Sequence, residues 1–318
     1  MTAAAPPLVV IAGPTATGKT GLAIRLAEWL RSNGRHAEVI SADSRQVFRG
    51  LDIGTAKASA AERALVPHHG LDLVDPDQPF SVADFSGHAR TVLGSLGERG
   101  AVAILAGGTG LYLRAVARGL DTETLPSDPA LRARLEAEAL ADGLKPLVGR
   151  LRELAPTNVQ RVDLRNPRRV VRALEIAELR GDAPLPVPLG YPGPVTWIGL
   201  TVEPAAHATW IGGRARGQFA AGLVEEARAL RERFDLGLPA FSAIGYREAW
   251  AVLDGTLTLA AAIELDAQRN VAFAKRQRTW FKSEPGIDWL DVTVEPPDDR
   301  SRQIVGALLE SAELRPRS

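Results

Sequence analysis

Three apolar runs in the first third of the chain indicate buried strands. They are LVVIA (Leu8 to Ala12), AEVISADS and AVAILAGGTG. Between the first two runs, Leu22, Leu26 and Leu30 recur at every fourth position, which predicts a helix that Gly34 ends. Buried strands that alternate with helices are typical of a parallel α/β sheet. Ligands of such sheets gather at the carboxyl ends of the strands, so the turns that follow these runs are the first place to look for a site.

The pattern changes near Leu120, where helical spacing replaces strands. Three helical segments, SDPALRARLEAEAL, PLVGRLREL and RNPRRVVRALEIAELRG, lead to the proline-rich stretch GDAPLPVPLGYPGP. Strand character resumes at VTWIGLTV, and the last hundred residues are helical apart from a short final strand at IDWLDV. We therefore predict a core in two parts, residues 1–121 and 191–318, interrupted by a helical insertion domain with a proline-rich linker at 122–190.

Composition limits the partners of this chain. Its 318 residues include 38 basic and 38 acidic side chains, so a nucleic-acid site must be a local basic patch. The absence of cysteine excludes disulfides and thiolate metal sites. The N-terminus has no basic segment typical of a signal peptide, and no apolar run is long enough to span a membrane. We expect a cytoplasmic protein that does not bind membranes.

The stretch GPTATGKT matches the phosphate-binding pattern G-x-x-x-x-G-K-[ST] at every position, and it follows a strand and precedes a helix. Backbone N–H groups and the helix dipole favour an oxyanion there. We predict that the loop binds a diphosphate or nucleotide, with Lys19 as a catalytic cation and Thr20 as a ligand of Mg²⁺. The predicted binding residues are Gly13, Pro14, Thr15, Ala16, Thr17, Gly18, Lys19 and Thr20.

No acidic residue ends AVAILAGGTG, the best candidate for the strand that carries the second acid of nucleotide hydrolases. Because that acid helps to hold Mg²⁺ and water, its absence disfavours hydrolysis. Asp43, at the end of AEVISADS, is instead placed across the sheet edge from the phosphate loop. A carboxylate there can accept a proton from a nucleophile, and the residues alone leave two possibilities. The nucleophile is a hydroxyl in phosphoryl transfer or an amine in another displacement.

Ordered stretches along nearly the whole chain resemble the tRNA dimethylallyltransferase family, also called tRNA isopentenyltransferases. They are GPTATGKT, DSRQVFRGLDIGTAK, PHHGLDLVDP, FSVADF, GGTGLYLRA, NPRRVVRALEI, FSAIGYREAW and AKRQRTWF. The resemblance implies a P-loop NTPase-like core. It also implies transfer of a dimethylallyl group from its diphosphate to the exocyclic amine of the adenosine just 3′ of the anticodon, in tRNAs that read codons starting with U. The loop would then hold a leaving diphosphate.

The resemblance also implies roles for single residues. Asp43 corresponds to the general base, and Arg214 to an arginine that neutralises the diphosphate. Arg216 is the alternative, because Trp210 departs from the family's pattern ahead of that arginine. The residues that the resemblance implies in tRNA binding are Asp43, Ser44, Arg45, Gln46, Thr109 and Arg132.

A second departure lies in the C-terminal helix. The family tends to have Thr-Arg before Ala-Lys-Arg-Gln, where this chain has Asn270-Val271. We therefore expect that one phosphate contact is absent or that Arg269 supplies it.

Basic clusters add candidates for RNA contact. Arg168, Arg169 and Arg172 share one face of a helix, with no acid expected on that face. In KRQRTWFK, basic residues alternate with aromatic ones, so cations can meet phosphates while rings stack on unpaired bases. We expect Phe281 and Trp250 to be core residues. The additional predicted tRNA-binding residues are Arg168, Arg169, Arg172, Tyr246, Arg247, Lys275, Arg276 and Arg278.

Taken with the resemblance, these features predict an enzyme with three ligands: the tRNA anticodon stem-loop, dimethylallyl diphosphate and Mg²⁺. A monomer is expected. The alternative functions are a P-loop small-molecule or nucleotide kinase, a prenyltransferase that acts on free adenine nucleotides, and an ATP-gated RNA-binding module without transfer chemistry.

Overall fold

A single parallel sheet forms the centre of the core. The structure, a computed structural model, describes residues 4–122 and 124–313. Within these residues six strands pair in the order β3-β2-β4-β1-β5-β6, and every pair is parallel. The strands are β1 (Leu8–Ala12), β2 (Ala37–Ser41), β3 (His68–His69), β4 (Val102–Gly107), β5 (Val195–Thr201) and β6 (Asp288–Asp291). The predicted parallel α/β fold is confirmed.

Helices connect the strands. They are α1 (Lys19–Ser32), α2 (Ala60–Leu65), α3 (Val82–Glu98), α4 (Gly110–Ala117), α5 (Pro129–Asp142), α6 (Leu144–Leu154), α7 (Pro167–Arg180), α8 (Pro204–Ala220), α9 (Leu223–Arg231), α10 (Tyr246–Leu253), α11 (Leu259–Lys282) and α12 (Asp298–Glu313). Local sequence sets several of these ends. Asn166 caps the first turn of α7, and Pro167 occupies its first position, where the missing N–H costs nothing.

Both faces of the sheet are covered. Leu8 and Val10 of β1 pack into the hydrophobic cluster that contains side chains of α3, α4, α10 and α11. Val9 and Ile11 pack into the cluster that contains side chains of α1 and α12. Side chains alternate between the faces of a strand, so a strand covered on both sides must be apolar at every position. This explains the unbroken apolar run in β1.

The chain separates into two compact units, of which the first comprises residues 1–119 and 190–318 and the second residues 120–189. The second unit contains α5, α6 and α7 around a small core of its own, which includes Leu135, Leu151 and Leu174. No helix in the described part of the chain is both long enough and apolar enough to cross a membrane.

The register of the sheet decides which loops meet. Ala12 at the end of β1 pairs with Gly107 at the end of β4, and Ser41 at the end of β2 pairs with Ala106. Three neighbouring strands therefore end at one edge of the sheet. The phosphate loop follows β1, Asp43 follows β2 and Gly108 follows β4, so all three reach the same place.

Candidate active site

Unusual backbone angles shape the loop between β1 and α1. Gly13 and Gly18 have φ angles of 153° and 80°, and Ala16 has a φ of 60°. A Cβ on Gly13 would lie 2.9 Å from the carbonyl oxygen of Leu200, so only glycine fits against β5 there. Since α1 begins at Lys19, the N–H groups at its start lack partners within the helix and favour an anion.

A cavity of about 260 Å³ lies over this loop. Lys19 and Thr20 of the loop, Asp43 after β2 and Arg214 on α8 all line it. The sequence placed these four residues in three separate segments, and the fold brings them to one cavity.

The two cations that line the cavity are both buried, which disfavours their charged forms. Burial, and after it the charge of Arg214, lower the pKa of Lys19 to about 7, whereas Asp43 acts in the opposite direction. Burial also lowers the pKa of Arg214, against the effect of Asp43 and Asp266. Two desolvated positive charges side by side favour a multiply charged anion, because an opposite charge within a few ångströms stabilises both.

Arg214 points towards the phosphate loop. Its Nη1 donates to Oγ1 of Thr15 at 2.9 Å. Its Nη2 donates to the carbonyl of Thr55 at 3.4 Å, and its Nε is buried without an acceptor among the described residues. Arg216, the alternative considered from the sequence, is exposed and does not line the cavity. The geometry therefore favours Arg214 as the residue that meets an anion in the loop.

Only one carboxylate oxygen of Asp43 accepts a hydrogen bond from the described residues. Oδ1 accepts the backbone N–H of Arg45 at 2.8 Å, which is a local turn contact. Within the described chain no donor reaches Oδ2. The carboxylate is thus oriented by its own turn and keeps a proton-accepting oxygen beside the cavity. This turn contact and the role of a base are compatible, because they use different oxygens.

The polar side chains around Asp43 form hydrogen bonds with neighbouring protein groups. The hydroxyl oxygen of Thr109 accepts the backbone N–H of Ser44 at 3.0 Å. The amide of Gln46 accepts from the Ser41 hydroxyl at 2.7 Å and donates to two backbone carbonyls near the start of α2. The guanidinium of Arg45 donates to the carbonyl of Pro239 at 2.8 Å. These side chains therefore shape the turn after β2, whatever they contact in a complex.

Glu175 changes the interpretation of two arginines in the second unit. It is fully buried, and its carboxylate accepts from Arg132 at 2.9 Å and from Arg172 at 2.8 Å. The expectation that the arginine face of α7 carries no acid is wrong, because Glu175 lies one turn after Arg172 on the same helix. Arg168 and Arg169 are exposed and form no ion pair within the described residues.

Tyr246 is not available to RNA in this structure. Its side chain is completely buried, and its hydroxyl donates to Oε1 of Glu226 at 2.7 Å. The prediction that it contacts tRNA is therefore wrong. The aromatic position at the start of α10 is part of the core, as is Trp250, whereas Arg247 is exposed. Arg269, the expected substitute for a missing phosphate contact, is ion-paired with Glu248.

Helix α11 presents two different faces. Lys275 and Arg276 are exposed, Arg278 is partly exposed, and none of the three forms an ion pair among the described residues. Phe281 is fully buried, as expected. Between the basic side chains, Gln277 points the other way: it is buried and lines the cavity over the phosphate loop.

Two contacts to the phosphate loop were not expected from the sequence. The N–H of Thr15 donates to Oε1 of Gln277 at 2.8 Å, and its carbonyl accepts from Nε2 of His207 at 2.8 Å. Burial chiefly lowers the pKa of His207. The hydrogen bond to the Thr15 carbonyl acts in the opposite direction, and the charges of Arg278 and Lys19 add to the lowering. The only sequence signal for Gln277 is its place in the AKRQRTWF stretch, where its basic neighbours are the more obvious candidates for RNA contact.

The fold and site define a class of protein, namely a P-loop NTPase-like α/β protein whose phosphate loop faces a carboxylate. A family model described as IPP transferase matches residues 46–284. Relatives called tRNA dimethylallyltransferase are 43% identical in Anaeromyxobacter dehalogenans (91% of this chain and 96% of that one) and 42% identical in Roseiflexus sp. (88% and 92%). The chain belongs to the IPP transferase family.

Solved structures agree with this assignment. A tRNA isopentenylpyrophosphate transferase from Bacillus halodurans is 37% identical, with a TM-score of 0.70 over 96% of this chain and 98% of that one. A eukaryotic dimethylallyltransferase acting on tRNA is 23% identical, with a TM-score of 0.78 over 96% of this chain and 80% of that one, and it shows a common fold.

Proposed function

We propose that the chain transfers a dimethylallyl group from dimethylallyl diphosphate to the exocyclic amine of an adenosine in tRNA and releases diphosphate. The acceptor is the adenosine 3′ of the anticodon in tRNAs that read codons starting with U. One observation carries this proposal. The carboxylate of Asp43 shares a cavity with Lys19 and Arg214, while β4 ends without an acid that could orient water on a phosphate.

The donor half of the reaction falls to the phosphate loop. An allylic diphosphate ionises readily once the charge on its leaving oxygens is neutralised, and the loop N–H groups, Lys19 and Arg214 are placed to do this. A preorganised donor of this kind is worth roughly 3–4 kcal/mol in the transition state. Nε of Arg214, which has no acceptor in the described part of the chain, is the donor we assign to a diphosphate oxygen.

Thr20 is the residue that we expect to hold Mg²⁺ at this site. The described residues contain no group of three or more His, Cys, Asp or Glu side chains suited to a metal ion. A single hydroxyl fits Mg²⁺, which typically takes few ligands from the protein and the rest from phosphate oxygens and water. When bound, the ion neutralises charge that develops on the leaving diphosphate.

The acceptor half falls to Asp43. The amine of adenine is a weak nucleophile because its lone pair is delocalised into the ring, so removal of its proton assists the attack on the allylic carbon. Oδ2 of Asp43 is the oxygen we assign to this proton. A general base typically contributes a factor of about 10²–10⁴ to the rate.

We further propose which exposed cations contact the anticodon stem-loop. In the first unit they are Lys275 and Arg276 on α11, and in the second unit Arg168 and Arg169 on α7. All four are exposed and form no ion pair within residues 4–122 and 124–313. The target base must be splayed out of its stack to reach the cavity, as enzymes that modify bases commonly require. A cytoplasmic monomer remains our prediction.

The kinase alternative is not favoured, because the curated relatives carry transferase names that refer to tRNA. The experiment is to incubate the protein and Mg²⁺ with labelled dimethylallyl diphosphate and a synthetic anticodon stem-loop. The matched control replaces the adenosine 3′ of the anticodon with guanosine. Label should enter only the adenosine substrate. Phosphate transfer from labelled ATP at ordinary enzyme rates, with no entry of the prenyl label, would overturn the proposal.

A further inference from the structure

Gln277 connects two loops of the candidate active site through one side chain. Its Oε1 accepts the N–H of Thr15 in the phosphate loop at 2.8 Å, and its Nε2 donates to the carbonyl of Gly108 after β4 at 3.0 Å. The residue is 6% exposed. Both partners lie more than 160 positions away in the chain, so the bridge exists only in the folded protein.

We propose that Gln277 is a positioning residue that sets the distance between the bound donor and the bound acceptor base. The inference rests on the proposed function. The leaving diphosphate is assigned to the phosphate loop, and the acceptor base to the turn around Asp43 and Thr109. Because Gln277 ties Thr15 to Gly108, the residue before Thr109, it fixes the spacing of the two halves.

The chemistry of an amide explains why this position is glutamine. The bridge needs an acceptor for one backbone N–H and a donor for one backbone carbonyl at the same time, and an amide supplies both on adjacent atoms. A carboxylate has no donor, and an ammonium has no acceptor. A charged replacement would therefore break one of the two bonds.

The absence of a side chain at Gly108 leaves room for the Gln277 amide. A Cβ on Gly108 would lie 2.3 Å from Nε2 of Gln277, far closer than any real contact of that kind. The next nearest neighbours of that Cβ would be Cδ of Gln277 at 3.5 Å and the carbonyl oxygen of Gly13 at 3.7 Å. An alanine at this position would thus displace the Gln277 amide and little else.

His207 and Arg214 hold the Thr15 end of the bridge in place. Its Nε2 donates to the carbonyl of Thr15 at 2.8 Å, while Arg214 donates to the hydroxyl of the same residue at 2.9 Å. Thr15 is therefore held at its carbonyl and its side chain independently of Gln277. Loss of Gln277 should leave the phosphate loop in place and release mainly the Gly108 side of the bridge.

This arrangement predicts an effect on turnover rather than on binding. Transfer needs the reacting atoms within about 3–3.5 Å and aligned, and a misplacement of about 1 Å can cost 10²-fold in rate. The groups assigned to bind diphosphate and RNA phosphates are unchanged in a Gln277 variant. We expect kcat to fall by about 10–100-fold and KM for either substrate to change by less than about threefold.

The test is a double-mutant cycle of Gln277→Ala and Gly108→Ala, with Gln268→Ala as the matched control. Gln268 is an exposed glutamine on the same helix, and its side-chain amide donates to the carboxylate of Glu264 one turn away. All variants are assayed for kcat and for KM of dimethylallyl diphosphate and of the stem-loop. Donor binding without tRNA gives the active fraction, and circular dichroism checks the fold.

Each single variant should lose kcat, and the double variant should be no slower than Gln277→Ala alone. The reason is that the added Cβ of Gly108→Ala has room once the amide is gone. Three results would overturn the proposal. In the first, the kcat losses of the two single variants multiply in the double variant. In the others, Gln277→Ala keeps a kcat within twofold of wild type, or its loss is confined to KM of the donor. If Gln277→Ala does not fold, Gly108→Ala decides alone, because full kcat in that variant removes the bridge from the mechanism. An inactive wild type would instead refute the proposed function.

Discussion

Binding of the diphosphate donor should be accompanied by uptake of a proton, because the free site disfavours the charged form of Lys19. Burial and Arg214 lower the pKa of this lysine to about 7. At pH 8 only about a tenth of the Lys19 side chains are then protonated in the free protein. A bound diphosphate brings negative charge against the ammonium and restores the pKa towards its ordinary value, so nearly every Lys19 becomes protonated.

The magnitude follows from these two states. Uptake should be about 0.9 proton per site at pH 8 and about 0.1 at pH 6, where the free lysine is already charged. Because proton uptake and affinity are linked, the Kd for the donor should rise by close to tenfold between pH 8 and pH 9. Below pH 6 this contribution to the pH dependence should vanish.

Isothermal titration calorimetry measures the uptake directly. Dimethylallyl diphosphate and Mg²⁺ are titrated into the protein without tRNA, so no turnover occurs, in buffers that differ in ionisation enthalpy. Lys19→Met should lose the uptake, and the difference between wild type and this variant removes protons that come from the donor itself. Lys275→Met, which changes an exposed lysine, should keep it. Equal uptake in wild type and Lys19→Met at pH 8 would refute the reasoning.

Three further predictions concern other parts of the molecule. Asp43→Asn should lower kcat by about 10²–10⁴ and leave tRNA affinity within about twofold, and normal turnover of this variant would remove Asp43 from the mechanism. Replacing Lys275 and Arg276 with Gln should weaken the salt dependence of stem-loop binding. Affinities measured across a salt series should give a log K versus log salt slope smaller in magnitude by about 0.7–0.9 per lost contact. An unchanged slope would show that RNA binds elsewhere. His207 has a lowered pKa, so the unfolded chain binds more protons as the pH falls below about 6.5 and the folded state loses stability there. His207→Gln should therefore flatten the pH dependence of the free energy of unfolding between pH 7 and 5, and urea titrations that show equal slopes for both proteins would contradict this.

Features that depend only on neighbouring residues could be predicted from the sequence. Strand β1 is apolar at every position because both faces of the sheet are covered, and Asn166 with Pro167 marks the start of α7. The phosphate loop was recognisable because its glycines and Lys19 must occupy fixed positions between a strand and a helix. Because ligand sites of parallel sheets lie at the carboxyl ends of the strands, the sequence also predicts Asp43 opposite that loop.

The direction in which a side chain points depends on tertiary packing and could not be predicted in this way. Arg132 and Arg172 appear as free cations in the sequence, yet both bind Glu175, whose complete burial depends on how α5 and α7 pack. Tyr246 lies beside an exposed arginine but is itself completely buried.

Gln277 shows the physical reason most clearly. It stands between Arg276 and Arg278 in the chain, but successive residues on a helix point about 100° apart, so a neighbour in sequence is not a neighbour in space. Its partners, Thr15 and Gly108, come from turns after two different strands. Only the packing of α11 against the sheet edge brings those backbone groups within reach of one amide.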